Sequence, residues 1–367
     1  MHTANNASRA SSAIAPEMRE VLVIIVNYRS ATLTLPSLES VNEERRLLAT
    51  ESPPINLRAV VVENDSGDEE ELRTGIDDLN YGDWVTLIAS DRNGGYADGN
   101  NLGIAHGFAS QAAPDFIHFL NPDTKIRPGA IQELIRFLDE HPKAGLVGSA
   151  FFNGDGSPWP MAFRFPTIWS EIESGIGWGL ISKLMRRWIV AQEMPPHPVK
   201  TDWGPGASII VRRAVIDRLG GIDAGYFLYF EETDYCLAAQ KAGFEFWRVP
   251  ASEVVHYSGA STGVTTKRDR PIRLPNYWFE SRRRYFLKNH GLFYAIACDL
   301  CAVASRLIGM VKATILGRRR SLVPFYIRDL LRHSPLLRRN RKCEPGMRYS
   351  REHPSEYEQR ACGRGVT

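Results

Sequence analysis

Short apolar runs alternate with longer amphipathic segments along the first third of the chain. The run VLVIIV, from Val21 to Val26, is continuous and rich in β-branched residues, which is typical of a strand buried on both faces. The segments that follow it predict helices at Leu33 to Leu48, Glu69 to Leu79 and Asp98 to Phe108, and strands at Leu57 to Glu63, Val85 to Ala89 and Phe116 to Leu120. This order predicts βαβ units and an α/β fold with a mostly parallel sheet.

Polar residues and glycines follow the end of each predicted strand. The first strand ends in Asn27-Tyr28-Arg29, the second ends in ENDSGD, and the third runs into DRNGGYADGNNLGI. Each stretch on its own is also typical of a turn rich in Asn, Asp and Gly. Ligands of parallel sheets bind at the carboxyl ends of the strands, so three such stretches in succession favour a ligand site.

The strand at Phe116 to Leu120 stops at Asn121-Pro122-Asp123, and a new helix is predicted from Pro128. A carboxylate in this place either caps a turn or holds a ligand. A dinucleotide-binding oxidoreductase is excluded because no G-x-G-x-x-G follows the first strand. A P-loop NTPase is excluded because the chain lacks G-x-x-x-x-G-K-[ST]. The remaining common ligand is a nucleotide diphosphate bound with a metal ion.

Composition describes an ordinary globular protein, with 43% hydrophobic and 24% charged residues in a chain of 367. The formal net charge of +3 argues against a nucleic-acid-binding protein. Basic clusters in the C-terminal quarter indicate an anionic partner at one end, and they lie at Arg282 to Arg284, Arg318 to Arg320 and Leu336 to Lys342. The first of these clusters is equally compatible with a solvated helix face.

Several features favour a cytoplasmic protein. The five cysteines form an odd set without the spacing of a disulfide framework, and residues 1–20 lack the apolar segment of a secretion signal. The apolar stretch from Gly291 to Gly317 contains Asp299, Arg306 and Lys312. Charges at this spacing favour a helix that lies in a membrane interface over one that spans the membrane.

Six motifs follow one another in an order that resembles a known family. They are NYR, VVENDSGD, NGGYADGNNLGI, FLNPDTKIRPGAI, GASIIVRRAVIDRLGGIDAGYFLYFEETDYC and HYSGAS. Together they resemble the inverting family 2 glycosyltransferases of GT-A fold, especially the bacterial rhamnosyltransferase-like branch, over about Val21 to Gly291. The resemblance implies a GT-A domain, with a Rossmann-like mixed, mostly parallel sheet and flanking helices, and a C-terminal helical extension.

Four parts of the chain are expected on this basis. A polar tail covers residues 1–20, and the catalytic domain covers 21–265, with a donor half at about 21–125 and an acceptor half at about 126–265. A helical, membrane-associated extension follows at 266–320, and a basic tail at 321–367.

The resemblance implies a divalent cation, Mg²⁺ or Mn²⁺, bound with the diphosphate of the donor. Asn121-Pro122-Asp123 matches the D-x-D position, with Asn121 in place of the first aspartate, so Asp123 is expected to contact the metal directly. His256, after a strand predicted at Ala251 to Val255, matches a histidine that reaches the same metal. The alternative for His256 is a hydrogen-bonded structural role.

Other residues near the strand ends are expected to line the donor nucleotide and sugar. Glu63 matches an acidic residue that binds the pyrimidine base, and Asp65 is a nearby substitute. The remaining candidates for donor contacts are Asn27, Tyr28, Arg29, Arg92, Asn93, Gly95, Asp98 and Asn101.

The sequence YFEETDYC matches the acidic motif of the family, with Glu231, Glu232 and Asp234 as catalytic candidates. Transfer with inversion needs one base to take a proton from the acceptor hydroxyl, and Glu232 stands at the position of that base. Acids at a helix N-terminus that only offset the helix dipole are the alternative. On the acceptor side, Trp203 offers a flat face to a sugar, and the neighbouring candidates are Gly204, Gly206 and Ala207.

The implied function is metal-dependent transfer of a sugar, with L-rhamnose as one candidate, from a dTDP- or UDP-linked donor. The acceptor is a glycan or a polyprenyl-linked glycan of the cell envelope, reached from the inner face of the membrane. Two alternatives are a non-catalytic sugar-nucleotide or glycan-binding protein of the same fold and, with less support, a nucleotidyltransferase. Self-association into a homo-oligomer is compatible with the sequence, and a nucleic-acid partner is not expected.

Overall fold

A computed structural model describes residues 18–110, 112–159, 161–257, 271–317, 322–338, 346–353 and 355–362. Most of the polar N-terminal tail, the cluster at residues 318–320 and the end of the cluster at 336–342 lie outside these ranges.

A mixed sheet of ten strands forms the centre of the described chain. Its strands are β1 (Arg19–Asn27), β2 (Ile55–Glu63), β3 (Val85–Ala89), β4 (Phe116–Leu120), β5 (Thr124–Ile126), β6 (Ala144–Phe152), β7 (Pro158–Trp159), β10 (Val199–Thr201), β11 (Ser208–Arg212) and β12 (Glu245–His256). The order along the sheet is β10-β12-β6-β11-β4-β1-β2-β3, with β5 paired to β12 and β7 paired to β6. Two further short strands, β8 (Met161–Phe163) and β9 (Ala191–Glu193), form a separate antiparallel pair.

The predicted parallel character holds in the first half of the sheet. β1 pairs in parallel with β2 and β4, and β2 pairs in parallel with β3. β6 and β12 are also parallel, whereas β11 enters between β4 and β6 antiparallel to both. The mixed sheet therefore changes direction at β11, next to the end of β4.

Helices cover both faces of the sheet, because the strands bury apolar side chains on both sides. One face packs against α1 (Ala31–Leu48), α2 (Glu69–Asp78) and α4 (Ala130–Glu140). The other face packs against α3 (Gly95–Ala109), α7 (Arg213–Leu219) and α8 (Glu231–Lys241).

Six further helices lie outside these layers in the described chain. They are α5 (Ile168–Ile176), α6 (Gly179–Leu184), α9 (Asn276–His290), α10 (Leu292–Ile315), α11 (Tyr326–His333) and α12 (Ser355–Cys362). A 3-10 turn at Arg186–Trp188 follows α6.

Two of the three arginines at 282–284 make ion pairs inside the protein. Arg282 is buried in α9, with its Nε 3.0 Å from Glu171 and its Nη1 2.5 Å from Asp299. Arg284 lies 2.8 Å from the buried Asp223. Arg282 and Arg284 are therefore neither part of a solvated helix face nor part of a phosphate site, because carboxylates of the protein already neutralise their charges.

The C-terminal helix α12 returns to the donor half and binds α3. Arg360 donates to both carboxylate oxygens of the buried Asp98 at 3.0 Å, and Tyr357 donates to the same carboxylate at 3.0 Å. Burial on its own would raise the pKa of Asp98, but the hydrogen bonds and charge of Arg360 outweigh it and hold that pKa below its usual value. Asp98 thus has a structural partner 262 residues further along the chain.

We expect Arg360→Ala to lower the free energy of unfolding by about 3 kcal/mol at pH 7, because it leaves the buried Asp98 without its countercharge. The pKa of Asp98 is depressed in the folded state, so this stabilisation is present above its ordinary value of 3.8 and disappears as the pH falls below it. Urea unfolding at pH 7 and at acid pH measures both effects.

Arg351→Ala is the matched control, because Arg351 comes from the same C-terminal segment and pairs with Asp217 where both side chains are exposed. Its expected cost is below about 1 kcal/mol. Equal losses from the two variants would contradict a specific role for the Arg360 pair.

Candidate active site

The chain reversal after β4 brings Asp123 and His256 together. β5 pairs antiparallel with the end of β12 so that His256 lies opposite Thr124, and the amide of Tyr257 donates to the carbonyl of Asp123 at 2.8 Å. Nε2 of His256 lies 3.2 Å from Oδ1 of Asp123, and both side chains are nearly buried. The two residues predicted to share a metal are therefore neighbours in the fold.

A carboxylate and an imidazole in contact suit a divalent cation that takes the rest of its shell from water and phosphate oxygens. No group of three or more His, Cys, Asp or Glu residues with metal-binding geometry occurs in the described ranges. Asp123 and His256 fit a cation that has two protein ligands, and Asn121, at the end of β4, lies two residues before Asp123 in the chain.

Asn64 holds the glycine-rich loop between β3 and α3. The buried side chain of Asn64 donates to Oδ1 of Asn93 at 3.0 Å and to the carbonyl of Gly95 at 3.3 Å, and it accepts from the amide of Gly94. Gly95 has φ of +82°, and a Cβ there would lie 2.0 Å from the carbonyl oxygen of Phe227. Only glycine fits this position, so the loop at 93–95 is tightly defined.

Several donor candidates point elsewhere in the structure. The amide of Asn27 is buried, where it donates to Asp68 at 2.9 Å and accepts from Ser30 and Thr34. Glu63 is also buried and accepts from the amide of Ser66 at 2.7 Å. These groups tie the ends of β1 and β2 to their loops.

Asp98 and Asn101 likewise have partners inside the protein. The amide of Asn101 donates to the carbonyl of Ile222 at 2.7 Å, accepts from the amide of Ile222 at 2.9 Å and contacts Tyr357. Asp98 is bound to α12 as described above. Both side chains lie between α3, the loop before α8 and the C-terminal segment.

Exposed side chains remain at the other donor positions. Arg29 has φ of +52° and its guanidinium lies 5.3 Å from the ring centroid of Tyr28. Asp65, with φ of +54°, is exposed. Arg92 is also exposed, although its Nε lies 3.7 Å from Asp98. These groups are accessible to an anionic ligand at the carboxyl ends of β1 to β3.

Glu231 and Glu232 occupy the first turn of α8. Tyr229 and Phe230, immediately before it, both adopt left-handed φ values of 68° and 67°, which non-glycine residues rarely adopt and which cluster at functional sites. Burial, with the charge of Glu232, raises the pKa of Glu231 well above its usual range. Burial also raises the pKa of Glu232 to about 7, although the backbone amides of Gly206 and Thr233 partly offset it.

One carboxylate oxygen of each glutamate is enclosed without a hydrogen-bond partner among the described residues. A buried carboxylate oxygen needs a hydrogen-bond donor, and a hydroxyl group or a bound proton can satisfy it. A glutamate with a pKa near 7 is suited to accept a proton at neutral pH.

Asp234, the third acidic candidate, has a different environment. Its carboxylate accepts from Asn289 at 2.7 Å and from Lys288, and it lies 3.4 Å from Arg348. Asp223 shares Lys288 and Arg348 with it. The buried Asp234 therefore belongs to an ion-pair cluster that joins α8 to α9 and to the C-terminal segment.

The acceptor candidates lie beside Glu232 and Asn121. Tyr96 donates to the carbonyl of Gly206 at 2.7 Å, and a Cβ on Gly206 would lie 2.9 Å from the Tyr96 hydroxyl. The carbonyl of Ala207 accepts from the amide of Asn121 at 3.0 Å, and its side chain is buried. The peptide at 206–207 thus lies between Glu232 and the end of β4.

Trp203 and Gly204 are packed against other side chains. The ring of Trp203 stacks on Phe163 at a centroid distance of 4.5 Å, and its Nε1 donates to the carbonyl of Arg164 at 2.9 Å. A Cβ on Gly204 would lie 2.7 Å from the ring of Phe246. One face of Trp203 is therefore already covered by the protein.

Asn64 and Tyr96 are the two site residues absent from the sequence-based candidates. Both stand within motifs that were recognised, VVENDSGD and NGGYADGNNLGI. Their roles depend on contacts between segments, and no local pattern in the sequence indicates those contacts.

Comparisons with known proteins show what this chain is similar to. A family model described as "Glycosyl transferase family 2" matches residues 22–186. The N-acetylglucosaminyl-diphospho-decaprenol L-rhamnosyltransferase of Mycobacterium tuberculosis is 31% identical over 190 residues, which cover 49% of this chain and 61% of that protein. The dTDP-rhamnosyl transferase RfbF of Shigella flexneri is 26% identical over 273 residues, which cover 74% of this chain and 81% of that protein.

The fold is also shared with a solved structure. The crystal structure of GalNAc-T7 with UDP, GalNAc and Mn²⁺ superposes with a TM-score of 0.53 at 14% identity, and the match covers 88% of this chain and 59% of the other. The chain thus spans less than two thirds of the mycobacterial relative and of GalNAc-T7. The similarity to glycosyl transferase family 2 lies in residues 22–186 of the chain.

Proposed function

We propose that this protein is an inverting, metal-dependent hexosyltransferase of cell-surface polysaccharide synthesis. It transfers a sugar from a nucleotide diphosphate to a hydroxyl of a glycan or lipid-linked glycan. The observation that carries the proposal is the position of Glu232, whose enclosed carboxylate has a pKa of about 7. The backbone of Gly206 contacts Glu232, and the neighbouring Ala207 accepts from the amide of Asn121, two residues before Asp123.

In the proposed reaction, Glu232 accepts the proton of the acceptor hydroxyl as its oxygen forms a bond to C1 of the sugar. The bond between C1 and the diphosphate oxygen breaks on the opposite face, and the nucleoside diphosphate leaves with that electron pair. Asp123 and His256 would hold a divalent cation, which would neutralise the negative charge that develops on the diphosphate. Glu232 is the proposed base of the pair, because it stands at the position of the base in the acidic motif, whereas burial and the charge of Glu232 raise the pKa of Glu231 well above its usual range.

The donor occupies the carboxyl ends of β1 to β4 in this proposal. Asn64 fixes the loop at 93–95, and the exposed Arg29 and Arg92 offer positive charge to the phosphates. Asp65 is accessible to the nucleotide base, whereas Asn27, Asp98 and Asn101 position the loops. The names of the two bacterial relatives favour dTDP-L-rhamnose as the donor and a diphospho-polyprenyl sugar as the acceptor.

The proposed location is the cytoplasmic face of the membrane, because a lipid-linked acceptor is held there. One described helix, α10, is long and apolar enough to cross a membrane by length and composition. Asp299, Arg306 and Lys312 interrupt this apolar helix, and we propose peripheral attachment through α10.

Asp123→Ala is expected to abolish metal-dependent nucleotide binding, with a loss of at least about tenfold in affinity, because it removes the carboxylate ligand. Calorimetric titration of UDP and dTDP, with and without Mn²⁺, measures the loss. Asp77→Ala, which changes an exposed aspartate on α2, is the control. If the wild-type protein binds neither nucleotide under any of these conditions, the donor site is wrongly assigned.

Glu232→Gln is expected to lower kcat by about 10² to 10⁴ while nucleotide binding stays unchanged, because the amide cannot accept the proton. The wild-type kcat should rise with pH through about 7, since the carboxyl must lose its proton before it acts as a base. The assay uses dTDP-L-rhamnose with an N-acetylglucosaminyl-diphospho-lipid, and Glu232→Asp should retain part of the activity.

Two outcomes would change the assignment. An unaltered kcat in Glu232→Gln would remove this residue as the base. Metal-dependent nucleotide binding without turnover of any nucleotide sugar would favour the non-catalytic binding protein.

A further inference from the structure

The outward face of α10 is a continuous apolar stripe. Its exposed members recur at intervals of seven, four or three residues, as one helix face requires, apart from one adjacent pair at 307 and 308. They are Phe293, Leu300, Ala304, Leu307, Ile308, Val311 and Ile315. Phe293 is 88% exposed and Ile315 is 78% exposed. At 1.5 Å per residue, the helix extends for about 36 Å.

The three charged residues of α10 all point into the protein. Asp299 is buried against Arg282, the guanidinium of Arg306 lies 3.5 Å from the ring centroid of Tyr326, and Lys312 donates to the carbonyl of Ile176 at 3.3 Å. In the sequence these charges interrupt the apolar stretch, but in the fold they leave its outward face without charge.

A second segment, which consists of α5 and α6, lies directly beside α10. α5 crosses α10 where Gly175 and Gly309 meet, since a Cβ on Gly309 would lie 2.3 Å from the carbonyl oxygen of Gly175. Lys312 also contacts the carbonyl of Gly177, so α6 begins next to the last turns of α10. Trp178, Leu180 and Leu184, around α6, are all more than half exposed. The apolar surface thus continues from α10 onto α6.

The positive and negative side chains of α5, α6 and the turn after α6 face in different directions. Lys183, Arg186 and Arg187 are exposed. Glu171 makes its ion pair with the buried Arg282, and Glu173 accepts from Ser182 at 2.6 Å. Carboxylates therefore face the protein, while cations and apolar side chains face outward.

We propose that α5, α6 and α10 form one membrane-docking surface whose partner is a bilayer that contains anionic lipids. Exposed leucines, isoleucines and tryptophans enter the interfacial region, and Lys183, Arg186 and Arg187 bind lipid phosphates at its edge. α10 lies in the plane of the interface, because its opposite face is buried against α5 and α9 through Ala295, Cys298 and Ala302. Docking on this surface does not depend on sugar transfer.

The docking surface is continuous with the acceptor side of the candidate active site. The segment from Phe163 to Ile168 leads from the neighbourhood of Trp203 into α5, and the amide of Phe165 donates to Asp202 at 2.8 Å. The amide of Ile168 then donates to the hydroxyl of Tyr294 on α10 at 3.1 Å. An acceptor anchored in the docked membrane is thereby brought to the edge of the site.

Vesicle co-sedimentation tests the surface with the full-length protein and two lipid compositions, phosphatidylcholine alone and phosphatidylcholine with phosphatidylglycerol. The double variant Ile308→Glu with Val311→Glu should lose binding to both by about tenfold or more, because it places charge in the apolar interface. Leu47→Glu is the matched control, since Leu47 is an exposed leucine on α1, and it should bind as the wild type does.

The triple variant Lys183→Glu, Arg186→Glu and Arg187→Glu should weaken binding only to vesicles that contain phosphatidylglycerol, by about tenfold or more at low salt. Circular dichroism and calorimetric nucleotide titration check that each variant is folded, and the titration also tests the donor site separately.

The proposal would be overturned if the wild-type protein bound to neither of the two vesicle compositions. Equal binding by the double variant and the Leu47→Glu control would also overturn it. Sedimentation velocity tests whether a second copy of the chain occupies this surface. The surface would be a dimer interface if the wild-type protein is a dimer, the double variant is a monomer, and both bind vesicles equally.

Discussion

The chain reversal between β4 and β5 is the constraint on which the candidate site depends. Three hydrogen bonds hold it: Asn121 donates to Ala207, Thr124 donates to the carbonyl of Asn121 at 2.6 Å, and Tyr257 donates to Asp123. These bonds join the ends of β4 and β12 to the start of β11. Backbone contacts within the protein therefore position Asp123, and the peptide that accepts from Asn121 adjoins Gly206, which contacts Glu232. Preorganisation of this kind is what electrostatic catalysis requires.

Neighbouring acids on α8 acquire different properties from their surroundings. Asp234 lies among Lys288, Asn289 and Arg348, so its charge is compensated and it stabilises the helix packing. Glu231 and Glu232, at the start of the same helix, are enclosed without a cation, and burial raises both pKa values. Of these three acids, Asp234 therefore has a structural role. Glu231 and Glu232 have the raised pKa values that are suited to proton transfer.

Local patterns in the sequence were enough to predict the strands and helices of the first half, because apolar periodicity there follows directly from burial on one or both faces of the sheet. The polar strand ends were also predicted, and the edge that they share brings Asp123 and His256 together. The sequence did not distinguish a polar residue that faces a ligand from one that holds a loop. Asn27 and Asp98 have the same local appearance as ligand contacts, but their partners are Asp68 and Arg360, and pairings at such separations leave no local signal. The charges of α10 were visible in the sequence, but only the packed helix shows that they occupy the face turned towards the protein.

Helix α9 connects the two surfaces with which this protein is proposed to act. Near the middle of α9, Arg282 binds Glu171 of α5 and Asp299 of α10, within the proposed docking surface. Arg284 and Lys288, within the next two turns, bind Asp223 in the loop that leads to α8. The two sets of contacts lie within about 9 Å along one rigid helix. Because α9 is anchored by ion pairs at both places, the distance of the α8 glutamates from a docked membrane is set by the fold, and an acceptor sugar on a lipid carrier has to meet that distance.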